Sequence, residues 1–310
     1  MYAFFKGQIV PIADAKVSIM THALHYGTAV FEGIRGNWNA DEQQVYIFKL
    51  REHMVRLHQG GKVMHIKLRY SPDELSDIAT ELVRKSGFKE DLYIRPLAYK
   101  SEEVVANLKA NTLADDFLMV VVKFGNYLDP ARAIHCCTST WRRTDDMSIP
   151  PRVKASGAYL NNILAKTEAV QNSFDEAIIL NQNGHVSEGS GENVFLVQNG
   201  KLVTPSKSDN ILEGITRNTI IEVAREELGI ATEERAVDRS ELYLADEVFL
   251  TGTAAHLTPV GMVDRRQVHD GQIGPVTKKL QALFFDIIRG KNKRYIRWCT
   301  PAFAPVKAKA

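Results

Sequence analysis

Between Ala177 and Pro205 the chain reads AIILNQNGHVSEGSGENVFLVQNGKLVTP. The apolar run Ala177–Leu180, bounded by turn residues, predicts a fully buried strand. The runs 194–197 and 201–205 flank Asn199-Gly200, which predicts a tight hairpin. Between these strands Ser187–Asn193 has neither a helical nor a strand period and is read as a loop carrying two glycines and two carboxylates. Glycines let other groups approach the backbone, and carboxylates beside apolar strands are costly unless they meet cations or donors. The loop is therefore expected to wall a site.

The rest of the chain alternates strands and helices. A hairpin is expected over Lys6-Gly7, then a polar and aromatic stretch, 21–35, bent at Gly27 and Gly33. A strand over 45–49 leads into a helix from about Leu50, with Met54 and Leu57 on its stripe and Arg56 at the border. Ser71-Pro72-Asp73-Glu74 is a capping box opening a helix that buries Leu75, Ile78, Ala79 and Leu82 and stops at Gly87. Strands are predicted at 92–99 and 117–122, and Gly, Asn and Pro then break the pattern. Beyond the break come a strand at 134–140 and a helix that Lys154 begins, with Leu160, Ile163, Leu164 and Thr167 on one face. The central strands, a helix through Ile220, Ile221, Ala224 and Leu228, a strand at 247–251 and a last helix near 275–289 complete the series. The expected architecture is α/β with some α+β character. It comprises a small N-terminal domain (1–123), an interdomain loop (124–133), a larger C-terminal domain (134–290) and a loosely ordered tail (291–310).

Composition narrows the function classes. With 310 residues, 45% apolar and 25% charged, the chain is long enough for two domains and ordinary for a globular protein. A net charge of +2 suggests neither a nucleic acid nor a membrane as the main partner. Three cysteines form no disulfide framework and no metal site, so a cytoplasmic location is expected. No GxGxxG or GK[ST] turn is present, which argues against a dinucleotide fold and a P-loop.

Lys154 is followed by small residues, Ala155-Ser156-Gly157-Ala158, and then Tyr159. Most lysines simply face water, but small neighbours leave room for a ligand. A lysine held partly out of water becomes a nucleophile towards carbonyls. Pyridoxal 5'-phosphate is the cofactor that uses such a lysine. It demands a carboxylate at its ring nitrogen, for which Glu188 is the candidate, and a donor for its ring oxygen, which Tyr159 offers. Its phosphate needs a helix N-terminus and a cation. Gly214-Ile215-Thr216 opens a helix, Arg56 supplies a charged fork, and Thr253 a second hydroxyl.

These residues lie in motifs that resemble the branched-chain amino-acid aminotransferases, of the fold-type-IV pyridoxal-phosphate class. They are HALHYGTAVFEGIR (22–35), REHMVRLH (51–58), YIRPL (93–97), Lys154 with AxGxYL, SEGSGENVF (187–195), EGITR (213–217) and LYLADEVFLTGTAAHLTPV (242–260). The resemblance covers about 4–288. It implies Lys154 as the lysine joined to the cofactor and as proton shuttle, Glu188 at the pyridine nitrogen and Tyr159 at the 3′ oxygen. Arg56, the Ile215 and Thr216 amides and Thr253 would hold the phosphate. The Thr253 and Ala254 amides and Tyr93 would take the substrate α-carboxylate. Tyr26, Phe31, Gly33 and Tyr127 would line the side-chain pocket, and Arg95 would meet the distal carboxylate of glutamate. Aromatic walls with phenolic tips suit a pocket that accepts an alkyl chain in one half-reaction and a carboxylate in the other.

The implied activity is reversible, ping-pong transfer of the amino group of L-leucine, L-isoleucine or L-valine to 2-oxoglutarate, by a homodimer or higher homo-oligomer. The rival readings are a D-amino-acid or (R)-amine transaminase, or an aminodeoxychorismate lyase, of the same fold. Four positions depart from the family pattern: Phe124 replaces tryptophan, Ser156 and Ala158 replace Gly and Asn, and His256 stands where an acidic residue is usual.

Overall fold

The computed structural model describes residues 1–125 and 127–303, in two compact units. Unit one takes Met1–Gly125, Val153–Gly157 and the chain from Phe285 on; unit two takes the stretch ending at Arg152 and Ala158–Phe284. The division is therefore not the linear one expected, because unit one takes back the Lys154 segment and the C-terminal end. Of the expected interdomain loop, Asn126 lies outside the described residues.

In unit one, β1 (Tyr2–Phe5) and β2 (Gln8–Pro11) form the N-terminal hairpin, with Phe5 opposite Gln8. There follow α1 (His22–Tyr26), β3 (Ala29–Phe31), β4 (Ile34–Asn39), β5 (Gln44–Phe48), α2 (Leu50–Val63), α3 (Pro72–Ser86), β6 (Leu92–Lys100) and β7 (Asp115–Lys123). The capping box of α3 forms as read, and Gly87 ends the helix in a left-handed turn. Its buried face is Leu75, Ala79, Leu82 and Val83, with Ile78 only half-buried. Strand β6 alternates, burying Leu92 and Ile94 and turning Tyr93 and Arg95 to the other face. Pro96 sits inside it without an N–H to donate. It is tolerated because the break between β3 and β4, at Glu32-Gly33, falls opposite, and its carbonyl accepts from the Glu32 amide.

Unit two is built from β8 (Ile134–Arg142), α4 (Tyr159–Gln171), β9 (Glu176–Leu180), β10 (Val186–Gly189), β11 (Asn193–Gln198), β12 (Lys201–Thr204) and α5 (Ile215–Leu228). The run continues with β13 (Thr232–Glu234), α6 (Glu241–Leu244), β14 (Glu247–Gly252), β15 (His256–Val263), β16 (Arg266–Gln267) and α7 (Pro275–Ile288), the last turn of which counts with unit one. The sheet order is β10-β9-β8-β15-β14-β11-β12-β13, with β16 on β15. Because β10 also pairs with β11, six strands close into a circuit without a free edge. Ile178, Val194, Leu196, Leu250 and Val260 belong to its core. At the β11–β12 turn, Asn199 and Gly200 both have positive φ, 50° and 74°, the geometry a two-residue hairpin loop favours.

Three expectations are corrected. The segment 187–193 is mostly strand: Val186–Gly189 pairs with β9 through a register irregularity between Val186 and Glu188, and only Ser190–Glu192 turns. Helix α4 buries Asn162, Ala165 and Ala169, while Leu160 and Ile163 are 64% and 58% exposed. Small Ala165 and Ala169 let the helix pack closely with Cys137, Ala177 and Ile179, which the larger side chains would prevent. The expected loose tail is ordered in its first part. A 3-10 turn over Lys293–Trp298 leads to β17 (Cys299–Pro301), which pairs antiparallel with β5. Sheet one thus runs β17-β5-β4-β6-β7-β1-β2, with β3 on β6. Residues 304–310 of that tail lie outside the described residues. Among the described residues, no helix is long and apolar enough to cross a membrane.

Candidate active site

In unit one, Lys154 does not begin a helix. It lies on an extended segment laid along β3: Phe31 N–H donates to the Lys154 carbonyl at 3.1 Å, and Val30 bridges Ala155. Two glycines permit that crossing. A Cβ on Gly27 would come within 2.7 Å of Gly157 Cα, and Gly157 N–H donates to the Gly27 carbonyl at 3.1 Å. The Lys154 amine stands 5.2 Å from the Phe31 ring centre, and the Arg95 guanidinium lies 4.4 Å from the same ring. Arg95 also donates to the Tyr93 hydroxyl at 3.2 Å. That hydroxyl occupies the space a side chain at 33 would fill, 1.8 Å from an ideal Cβ, so any larger residue at 33 would displace the Tyr93 ring. Lys154, Phe31, Gly33, Tyr93 and Arg95 are thus brought together. Phe124 packs on Tyr93 at 5.0 Å, and Arg35 donates to the Phe124 and Gly125 carbonyls, both at 2.8 Å. Tyr26, at the end of α1, stacks on His22 at 4.5 Å and accepts from Ala106 N–H at 2.9 Å.

Arg56, on α2, is gripped by a buried carboxylate the sequence reading assigned no role. Its Nε and Nη2 donate to Glu32 at 2.6 and 2.8 Å. Glu32 Oε2 also accepts from His53 Nδ1 at 2.7 Å. Burial alone would raise the Glu32 pKa, but the Arg56 charge and the hydrogen bonds from Arg56 and His53 outweigh it and hold the carboxyl far below its usual range. Burial lowers the His53 pKa, Glu32 pulls it back, and the charges of Arg56 and Lys154 push it down again. The signal for this cluster was the i, i+3 spacing of His53 and Arg56 on one helix face.

In unit two, Glu188 is buried on β10. Its Oε1 pairs with Arg143 Nε at 2.8 Å, and its Oε2 accepts from Leu212 N–H at 2.8 Å and Asn193 Nδ2 at 3.4 Å. An opposite charge at that distance favours the ionised carboxylate. Arg143 is held in turn by Asn162 Oδ1 at 3.1 Å, and Asn162 Nδ2 donates to the Ser190 carbonyl at 2.6 Å. Tyr159, the first residue of α4, sits one turn ahead of Asn162. Thr253 and Ala254 form the turn between β14 and β15; a Cβ on the preceding Gly252 would lie 3.1 Å from the Gly191 carbonyl, so this turn abuts the 190–192 turn. Tyr127 lies 5.4 Å from the Lys166 amine, which donates to Glu176 Oε2 at 2.6 Å. Neither Arg143 nor Asn162 carried a periodic or motif signal, because both owe their role to long-range packing.

Ile215 and Thr216 open α5, and Thr216 is buried. The N-cap is Gly214, no side chain caps the helix, and its first turn holds no acidic residue. A 14-residue helix whose first amides are left uncapped offers hydrogen bonds and positive potential to an anion. The donor set therefore fits a phosphate, as Glu188 fits a protonated ring nitrogen and Lys154 a carbonyl carbon.

The chain belongs to the family Amino-transferase class IV, whose model matches residues 29–263. Within that class, the resemblance to branched-chain amino-acid aminotransferases holds over nearly the whole length. The chain is 50% identical over 302 residues, 97% of each chain, to the "Probable branched-chain-amino-acid aminotransferase" of Aquifex aeolicus. It matches the crystal structure of branched-chain aminotransferase from Thermoproteus uzoniensis with norvaline at a TM-score of 0.93 and 42% identity, covering 98% of this chain and 99% of that one. The PLP form of the Thermobaculum terrenum branched-chain amino acid aminotransferase matches at 0.93 and 38%, with 98% of each covered.

Proposed function

We propose that this protein is a pyridoxal-phosphate-dependent transaminase that moves the amino group of L-leucine, L-isoleucine and L-valine to 2-oxoglutarate. The observation that carries the reading is the near-complete match to branched-chain aminotransferases, with every motif residue the chemistry needs present. Bound pyridoxal phosphate supplies an electron-accepting ring for the pair left when the substrate Cα–H bond breaks. Lys154 Nζ would hold the cofactor and, once freed, would take the Cα proton and pass it to the cofactor carbon that keeps the amino group. Glu188, paired with Arg143, stabilises positive charge at the ring nitrogen, and Tyr159 meets the ring oxygen. The Ile215 and Thr216 amides, Thr253 and Arg56 hold the phosphate, with Arg56 aimed by Glu32.

Thr253, Ala254 and Tyr93 take the α-carboxylate, and Tyr26, Phe31, Gly33 and Tyr127 line the side-chain space. Arg95, stacked on Phe31, accepts the distal carboxylate of glutamate through its guanidinium without filling the alkyl space. Initial rates measured against L-leucine and 2-oxoglutarate should give parallel double-reciprocal lines, and intersecting lines refute a shared site. A donor screen of L-leucine, D-alanine and an aryl-ethylamine separates this reading from the D-amino-acid and (R)-amine readings. The proposal extends to a cytoplasmic homodimer. The exposed Leu160, Ile163 and Val170 of α4 support association, and light scattering should return at least twice the chain mass.

A further inference from the structure

Asn193 has no part in the reaction as described, yet its side chain touches both ends of the unit-two set. It is buried at the start of β11, where its backbone pairs with Glu188 on one side and Thr251 on the other. Its Nδ2 donates to the Leu212 carbonyl at 2.9 Å and reaches Glu188 Oε2 at 3.4 Å. The Leu212 amide donates to that same Glu188 oxygen at 2.8 Å. On its other side, Asn193 Oδ1 lies 2.1 Å from where a Cβ on Gly214 would sit, and Gly214 is the N-cap of α5. One amide group is thus wedged between the carboxylate at 188 and the start of the helix whose first turn no side chain caps.

The geometry points to Asn193 as a positioning residue that sets the separation between Glu188 and the amide terminus of α5, and hence between the two points that hold the cofactor's ring nitrogen and its phosphate. The inference rests on the reading that Glu188 meets the nitrogen and α5 the phosphate. A rigid ligand gripped at two points gains from both only when their spacing is already correct, whereas a ligand gripped at one point is indifferent to it. Gly214 follows from the same requirement, since any side chain there would push the wedge aside.

The test compares three ligands that bind without a covalent bond. Pyridoxamine 5′-phosphate uses both points, pyridoxamine only the ring end, and inorganic phosphate only the phosphate end. Dissociation constants are measured by calorimetry on the full chain freed of cofactor, and the ring-nitrogen ¹⁵N shift is read with labelled pyridoxamine 5′-phosphate. Asn193→Ala is expected to weaken pyridoxamine 5′-phosphate at least tenfold while changing the two single-point ligands less than threefold, and to move the ring-nitrogen shift. Gly214→Ala keeps every hydrogen-bonding group and should show the same split, so it carries the test should Asn193→Ala fail to fold. Equal losses for all three ligands, or no loss for any, overturn the inference and leave Asn193 a structural residue of β11. A Glu188→Gln variant that leaves both affinity and ring-nitrogen shift unchanged overturns the underlying site reading and the inference with it. A Glu188→Gln variant that alters them while both wedge variants match the parent overturns the inference alone.

Discussion

Replacing Glu32 by glutamine removes one charge from a buried three-residue cluster while keeping its shape. Glu32 accepts two hydrogen bonds from Arg56, at 2.6 and 2.8 Å, and one from His53 at 2.7 Å. Removing one partner of a buried ion pair costs about 3–5 kcal/mol. Glutamine retains one acceptor oxygen, so the loss falls at the lower end, about 3 kcal/mol at pH 7. The pH dependence follows from the depressed pKa. A carboxylate with a lower pKa folded than unfolded contributes stability above the unfolded value, here 4.5, and loses it as pH falls. The gap between the parent and Glu32→Gln should therefore narrow by about 1.4 kcal/mol for each pH unit below that value. Urea unfolding at pH 7, 4.5 and 3.5 measures it in a Trp141→Phe background. There the two remaining tryptophans, Trp38 and Trp298, both report unit one. No gap at pH 7, or the same gap at pH 7 and 3.5, refutes the reasoning.

Lys154→Ala should abolish transamination between L-leucine and 2-oxoglutarate and leave the far-ultraviolet circular dichroism unchanged; measurable turnover removes Lys154 from the reaction. Glu192 presents the opposite electrostatic case to Glu32. Burial first, then the charge of Glu176, push its pKa up to about 8 against the pull of the Gly191 amide and Lys166, with Glu188 adding to the rise. A carboxyl that keeps its proton in the folded state costs stability as pH rises from the unfolded pKa of 4.5 towards 8. Glu192→Gln should therefore raise the melting temperature relative to the parent at pH 8 more than at pH 5. Gly200→Ala places a side chain at φ 74° and should cost about 1 kcal/mol in the β11–β12 hairpin, read as a shifted urea midpoint.

Most of the secondary structure was legible because it follows from local rules. The capping box at Ser71, the hairpin at Asn199-Gly200 and the alternation of β6 each need only a few neighbouring residues to be specified. The failures share a cause. Leu160 and Ile163 obey helical spacing, but the helix packs on its alanines because the sheet offers room only for small side chains. Glu188 looked like a loop residue because a register irregularity hides the period-2 pattern of β10. The proposed site residues were readable as motifs, whereas of the groups that hold them only His53 left a local signal. Arg143, Glu32 and His53 lie 45, 24 and 3 positions from the side chains they serve (Glu188, Arg56 and Arg56), and no local pattern marks the first two.

Strand β17 imposes an order on synthesis. Its partner β5 carries Val45, Tyr46, Ile47 and Phe48, all buried in the finished sheet. Until residues 299–301 leave the ribosome, that strand has no neighbour on its outer side, and about 250 residues, the rest of unit one and all of unit two, emerge in the meantime. The part of the chain made first is thus completed last. The nascent protein carries an apolar, unpaired sheet border for most of its translation, a state in which chaperone binding or intermolecular strand pairing competes with the arrival of its own C-terminal end.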